Sequence, residues 1–211
     1  MERKFPIYIL IDTSGSMKGE PIEAVNVGLE SMLAALRTDP NSLESAAVSI
    51  ITFDNEVKVV LPLTPVDQIQ LPRITTPEYG ATHTGQALKT LLERMQTEVR
   101  RNTPEAKGDW MPLLFLLTDG KASDLQLYNE ECRKIRDAGF SDIVACAAGM
   151  KADKSQLKQL TDNVLSLDTL DSRSFVKFFT LVSQSAAAGN RSAVTETSQF
   201  LPPPPEEISI V

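Results

Sequence analysis

Short runs of nearly uninterrupted apolar residues alternate along this chain with stretches in which apolar positions recur every three to four residues. The runs at 6–11, 46–53, 57–61, 113–118, 143–148 and 164–167 read as strands, mostly buried on both faces. Between them lie helical patterns. One opens at Pro21, a residue suited to the first helical position, and turns Ile22, Val25, Leu29, Met32, Leu33 and Leu36 to one side. A second, 84–100, presents Ala87, Leu88, Leu91, Leu92, Met95 and Val99; a third, 124–138, presents Leu125, Tyr128, Cys132 and Ile135. Ser123 and Gln126 fit a capping box for the third helix and Gly139 its stop. A short helix at 155–160 and a last one from Asp171 to about Ala186, with Phe175, Phe178, Phe179 and Val182 inward, complete the pattern.

Repeated strand-helix units predict an α/β fold. The expectation is a doubly wound, Rossmann-like, mostly parallel six-stranded sheet with helices on both faces. The turn Asp54-Asn55-Glu56 between the second and third strands makes the third the one antiparallel edge strand. Residues 62–79, with Pro62, Pro65, Pro72 and Pro77, form a long connection of the kind that is more often functional. One domain is expected over 1–188. After Ala188 the composition shifts to Gly, Asn, Ser, Thr and the prolines 202–205, which reads as a tail over 189–211. Two readings of the tail stand open: disorder, or a polyproline II segment lying along the domain with Ile208 and Ile210 as anchors.

A length of 211 residues with 42% hydrophobic and 23% charged content suits one globular domain with a sizeable core. The net charge of −7 argues against nucleic acid and anionic membrane as partners, since both select basic surfaces, and suits cation binding. Cys132 and Cys146 lack metal or redox spacing and read as buried free thiols. Nothing at the amino terminus resembles a signal peptide, and no apolar run reaches the roughly 18 residues of a membrane helix, so a cytoplasmic monomer is expected.

Candidate chemistry gathers at element boundaries. Asp12-Thr13-Ser14-Gly15-Ser16 follows the first apolar strand, and Asp119-Gly120 follows the fourth. Gly80-Ala81-Thr82-His83-Thr84-Gly85 opens the second helix. In a doubly wound sheet, ligands bind at the carboxyl ends of the strands. Two aspartates and several hydroxyls are hard oxygen donors of the kind Mg²⁺ takes.

In this order, Asp12, Ser14, Ser16, Thr82 and Asp119 resemble the metal-ion-dependent adhesion site (MIDAS) of von Willebrand factor A (vWA) domains. The resemblance implies that Ser14, Ser16 and Thr82 contact the metal directly or alternate with water. Asp12 and Asp119 would bind it directly or through water and orient the hydroxyls. Thr84 is the rival to Thr82, which is preferred because Gly-Ala-Thr matches the family pattern while Thr84 suits an N-cap. Residues 19–26, 51–54, Lys107-Gly108-Asp109-Trp110, 171–179 and 201–208 are similar to the bacterial TerY/YegL branch, found with tellurite-resistance genes. Ala122 stands where that branch often has Pro, and the Cys- and His-rich extension of its long members has no counterpart here, so nothing tied to zinc is carried over from them.

Enzyme patterns fail one by one. A haloacid-dehalogenase phosphatase needs a second Asp where Ser14 stands. A nucleophile elbow needs Gly where Asp12 stands, and no P-loop is present. The single histidine, His83, reads as a rim residue. The expectation is therefore a non-enzymatic adaptor that binds Mg²⁺ or Mn²⁺ and, through it, an Asp or Glu carboxylate of a protein partner. The branch resemblance implies a phosphorylation-linked assembly with a Ser/Thr kinase and a PP2C-type phosphatase. The alternatives are a metal-dependent phosphotransferase using Asp12 and an adaptor of a MoxR-type AAA+ ATPase.

Overall fold

Strand β1 (Phe5–Asp12) is buried along its whole length, the condition for a central strand. It pairs in parallel with β2 (Ala46–Phe53) on one side and β4 (Leu113–Thr118) on the other. The computed structural model describes residues 3–149, 152–195 and 209–210. From β4 the sheet continues in parallel through β5 (Asp142–Ala148) to β6 (Val164–Leu167), and from β2 it ends in antiparallel β3 (Val57–Pro65). The strand order is β3-β2-β1-β4-β5-β6, closed by a two-residue antiparallel strand β7 (Ser209–Ile210). The chain turns outward in opposite directions from β1 and β4, so the switch point lies between these two strands.

The two-residue period of each strand divides the core. Ile7, Ile9 and Ile11 face α1 (Glu20–Thr38) and α6 (Ser172–Thr195), where Phe178 meets Phe115 and Phe179 edge-on. Tyr8 and Leu10 face the opposite core, with Leu88 and Leu91 of α3 (Thr84–Glu98) and Tyr128 and Ile135 of α4 (Leu125–Asp137). Each such side chain contributes about 1.5–3 kcal/mol when taken out of water. Two short helices, α2 (Pro40–Ser45) and α5 (Lys154–Leu157), complete the domain, each capped by the aspartate before it. Among the described residues no helix is long and apolar enough to cross a membrane.

The six expected strands and the antiparallel β3 are present, and Gly139 stops α4 at φ 83°. Four local expectations change. Strand β3 runs on to Pro65, because an outer strand tolerates Pro62 and Pro65 where a central one would lose ladder hydrogen bonds. Helix α6 continues to Thr195, since adding turns to a formed helix costs little even through weak formers. Leu125 is 49% exposed instead of inward. The capping box is absent: the Ser123 hydroxyl accepts from Thr82 N, and Asp124, the residue before α4, turns to α3. In the expected tail, Ile210 pairs with Leu165, while Ile208 and the prolines lie outside the described residues.

Candidate metal centre

Asp12 ends β1 with no exposed surface, and its carboxylate is held from two sides. Oδ1 accepts Ser14 N at 2.8 Å, and Oδ2 accepts the Thr118 hydroxyl at 2.6 Å. The turn that follows is pinned across the sheet, where Thr13 N donates to Phe53 O and Thr13 Oγ1 donates to Asp54 Oδ2 at 2.9 Å. Ser14 Oγ then lies 3.2 Å from Ser16 Oγ, and Ser16 Oγ donates to Asp119 Oδ1 at 2.9 Å. Thr82 comes in from the third segment. A Cβ placed on Gly120 would stand 3.4 Å from Thr82 Oγ1, and residue 82 is tied to Ser123 by Ser123 N to Thr82 O and Thr82 N to Ser123 Oγ. Thr84 is buried as the first residue of α3, His83 precedes that helix in the cap position, and the hydroxyl beside Asp119-Gly120 is that of Thr82. The His83 ring meets Asn55 O at 3.1 Å.

Burial pushes the Asp12 carboxyl up to about 6, against the stabilising bonds from Thr118 and Ser14, and the charge of Asp119 adds to the rise. Asp12, Ser14, Thr82 and Asp119 are buried, whereas Ser16 is exposed. The cluster is thus a pair of mutually repelling carboxylates open to solvent on one side. A cation there would relieve both the repulsion and the desolvation.

The sequence model of the von Willebrand factor type A domain matches residues 7–181, most of the chain and every part of this cluster. The chain belongs to the von Willebrand factor type A domain family. It is 24% identical to matrilin-1 of Bos taurus over 208 aligned residues, covering 89% of this chain and 36% of that protein. It is 28% identical over 159 residues to the collagen alpha-5(VI) chain of Mus musculus, covering 73% of this chain and 6% of that one. The chain thus spans about a third or less of the length of these relatives. Proximal thread matrix protein 1 from the mussel byssus, solved with a zinc-occupied MIDAS motif, superposes with a TM-score of 0.60 at 18% identity, over 86% of this chain and 46% of that chain.

The donor set of this vWA domain fits a small divalent ion. Neighbouring ligands around an octahedral ion with bonds of about 2.1 Å stand about 3.0 Å apart. The Ser14–Ser16 and Ser16–Asp119 oxygen separations, 3.2 and 2.9 Å, match that edge. Among the described residues no three His, Cys, Asp or Glu side chains gather as a metal group, so an ion held here would draw on the hydroxyls beside the two carboxylates. Each Asp12 oxygen keeps a second lone pair beyond its hydrogen bond.

Several positioning residues of the vWA site escape a reading of the sequence. Thr118 stands beside Asp12 because β1 and β4 pair with Ile11 opposite Leu117. Asp54 reaches Thr13 from the end of β2, and its backbone oxygen accepts His83 N. Asp124 crosses from α4 to accept Gly85 N and Gln86 N, fixing the start of α3 just after Thr82. Gly85 allows this, since a Cβ there would lie 2.4 Å from Tyr128 N. The only signals in the sequence were polar residues at strand and helix ends. Which polar residue meets which is set by register and helix packing.

Proposed function

We propose that this vWA domain is a non-enzymatic, metal-dependent protein-binding module whose ion is held by Asp12, Ser14, Ser16, Thr82 and Asp119. The observation that carries the reading is the Ser14–Ser16–Asp119 chain of oxygens at coordination spacing beside a buried aspartate. The zinc-occupied MIDAS of the mussel protein supports it. Mg²⁺ or Mn²⁺ is the proposed ion, on the hardness of the donors. With two carboxylates and three hydroxyls the octahedron keeps room for an acidic side chain of a partner. When bound, the ion would supply an electrophilic point for that carboxylate, while Thr118 and Ser14 N hold Asp12 and Asp54 holds the turn.

Asp12 suits this role better than that of a phosphotransferase nucleophile, since no second acid stands two residues on. We place the protein in the cytoplasm, as a monomeric adaptor without nucleic-acid or membrane partners. The motifs at 19–26 and 107–110 favour the TerY/YegL branch, and hence a kinase and a PP2C-type phosphatase as partners. Melting curves with EDTA, Mg²⁺, Mn²⁺ and Zn²⁺ test the core of the proposal. At least one ion should raise the Tm, as any ligand specific to the native state does, and Asp12→Ala should abolish the rise. No response to any of the three ions would reject the site.

A further inference from the structure

The two edges of the sheet are built differently. At one, β3 carries Lys58, Pro62 and Pro65 and shifts register against β2, the charge, prolines and bulges with which an edge strand resists a further strand. At the other, β6 reads Val164-Leu165-Ser166-Leu167, with neither charge nor proline and every residue buried. Leu165 and Leu167 belong to the core beneath α1 and α6, and Val164 to the core beneath α3 and α4. What covers this edge is β7, and the described pairing is two residues long: Leu165 opposite Ile210 and Ser166 opposite Ser209. Backbone direction shows which pair holds it. Asn163 O and Leu167 O accept Ala145 N and Gly149 N at 3.0 and 2.8 Å, so these residues, and Leu165 between them, turn toward β5. Ser166 therefore points its N–H and C=O outward, and Ser209 meets it as the hydrogen-bonded pair of the antiparallel ladder.

We propose that the β6 edge is a strand-accepting docking surface and that β7 is a displaceable cover supplied by the chain itself. The partner it fits is an extended segment that adds antiparallel to β6. That segment has a β-branched apolar residue opposite Leu165, a small residue opposite Ser166 and no proline at either position, the pattern that Ile210 and Ser209 set. Main-chain bonds supply the affinity in such strand addition. Two pairs leave β7 open to competition from a longer strand, since strands commonly run five or six residues. A second copy of this chain is the poorer occupant, because it would exchange identical contacts and forgo the tether that holds them in cis. The surface is separate from the metal centre and does not depend on the ion.

The fluorescein-labelled peptide Glu-Glu-Ile-Ser-Ile-Val, the sequence of 206–211, titrated by anisotropy against the full chain tests it. The titration is run in EDTA, which keeps the peptide's carboxylates from binding through an ion at the metal centre. Ser209→Pro removes the N–H that faces Ser166 and changes no residue of β6, so it opens the edge. The peptide should bind this variant at least about tenfold more tightly than the native chain, the ratio expected when β7 covers the edge at least about nine-tenths of the time. The same peptide with proline in place of its serine should bind neither. No binding to the variant, equal affinity for the two chains, or undiminished binding of the proline peptide would overturn the proposal. A native chain that runs as a dimer on size-exclusion chromatography, beside a monomeric Ser209→Pro chain, would give the edge to a second copy and overturn the partner reading.

Discussion

Replacing Thr118 by Val keeps a β-branched side chain of nearly the same volume on β4 and removes one hydroxyl. That hydroxyl donates to Asp12 Oδ2 at 2.6 Å, a short charge-assisted bond inside a buried site. Bonds to charged groups contribute about 1.5–3 kcal/mol. The full loss is not expected in the metal-free protein, because the Asp12 carboxyl already sits at about 6 and can take up a proton instead. At pH 7 this escape limits the destabilisation to about 1–1.5 kcal/mol. Metal binding has no such escape, since it requires the ionised carboxylate. Losing a partner that orients a metal ligand commonly weakens affinity about 10–100-fold. With metal well above its Kd, each tenfold removes about 1.4 kcal/mol of linked stability, or about 3–6 °C of Tm in a domain of this size. Melting curves of native, Thr118→Val and Thr118→Ser protein, in EDTA and across a metal series, separate the two effects. The Ser variant should recover most of the metal response. A metal-induced rise that is the same in Thr118→Val as in the native chain, or a Ser variant as impaired as Val, would contradict the role given to the Thr118 hydroxyl.

Asp12→Asn should stabilise the protein in EDTA at pH 7 by on the order of 2 kcal/mol, read as a higher Tm, while abolishing the metal response. The folded value near 6 lies above the unfolded carboxylate range, so the stability linked to Asp12 falls as pH rises from about 4 through 6, and the gain from Asn should disappear near pH 4; a lower Tm in EDTA at pH 7 contradicts this. Burial raises the carboxyl of Asp109, but the Arg100 guanidinium and the N–H groups of Lys4 and Arg100 outweigh it and hold it below its usual range. Its stabilisation is present above about pH 4 and lost as pH falls through the lowered folded value. Asp109→Asn should thus cost about 1–2 kcal/mol at pH 7, discounted because Arg100 is partly exposed, and less at pH 3; urea unfolding that shows one gap at both pH values would count against it. Gly85→Ala should lower stability by about 1–3 kcal/mol by forcing α3 from α4, and an unchanged Tm would show that the two helices have slack.

The alternation of apolar runs and helical periods was sufficient to place six strands and the main helices, because burial of both faces of a strand and one face of a helix leaves its period in the residues themselves. The ligand candidates were legible for a related reason. Asp12, Ser14 and Ser16 are close in the chain, and Asp119 ends an unmistakable strand. Where a choice depended on a neighbour far along the chain, local pattern misled. Ser123, three residues before Gln126, looked like a cap but serves Thr82, and Leu125 looked like core but is exposed, next to an Asp124 that binds the start of α3. Thr118 and Asp54 carried no mark of their roles, since only the β1–β4 register and the turn after β2 bring them to Asp12 and Thr13. Periodicity records whether a residue is buried. Which residue it meets there is decided by strand register and helix packing, which no local window contains.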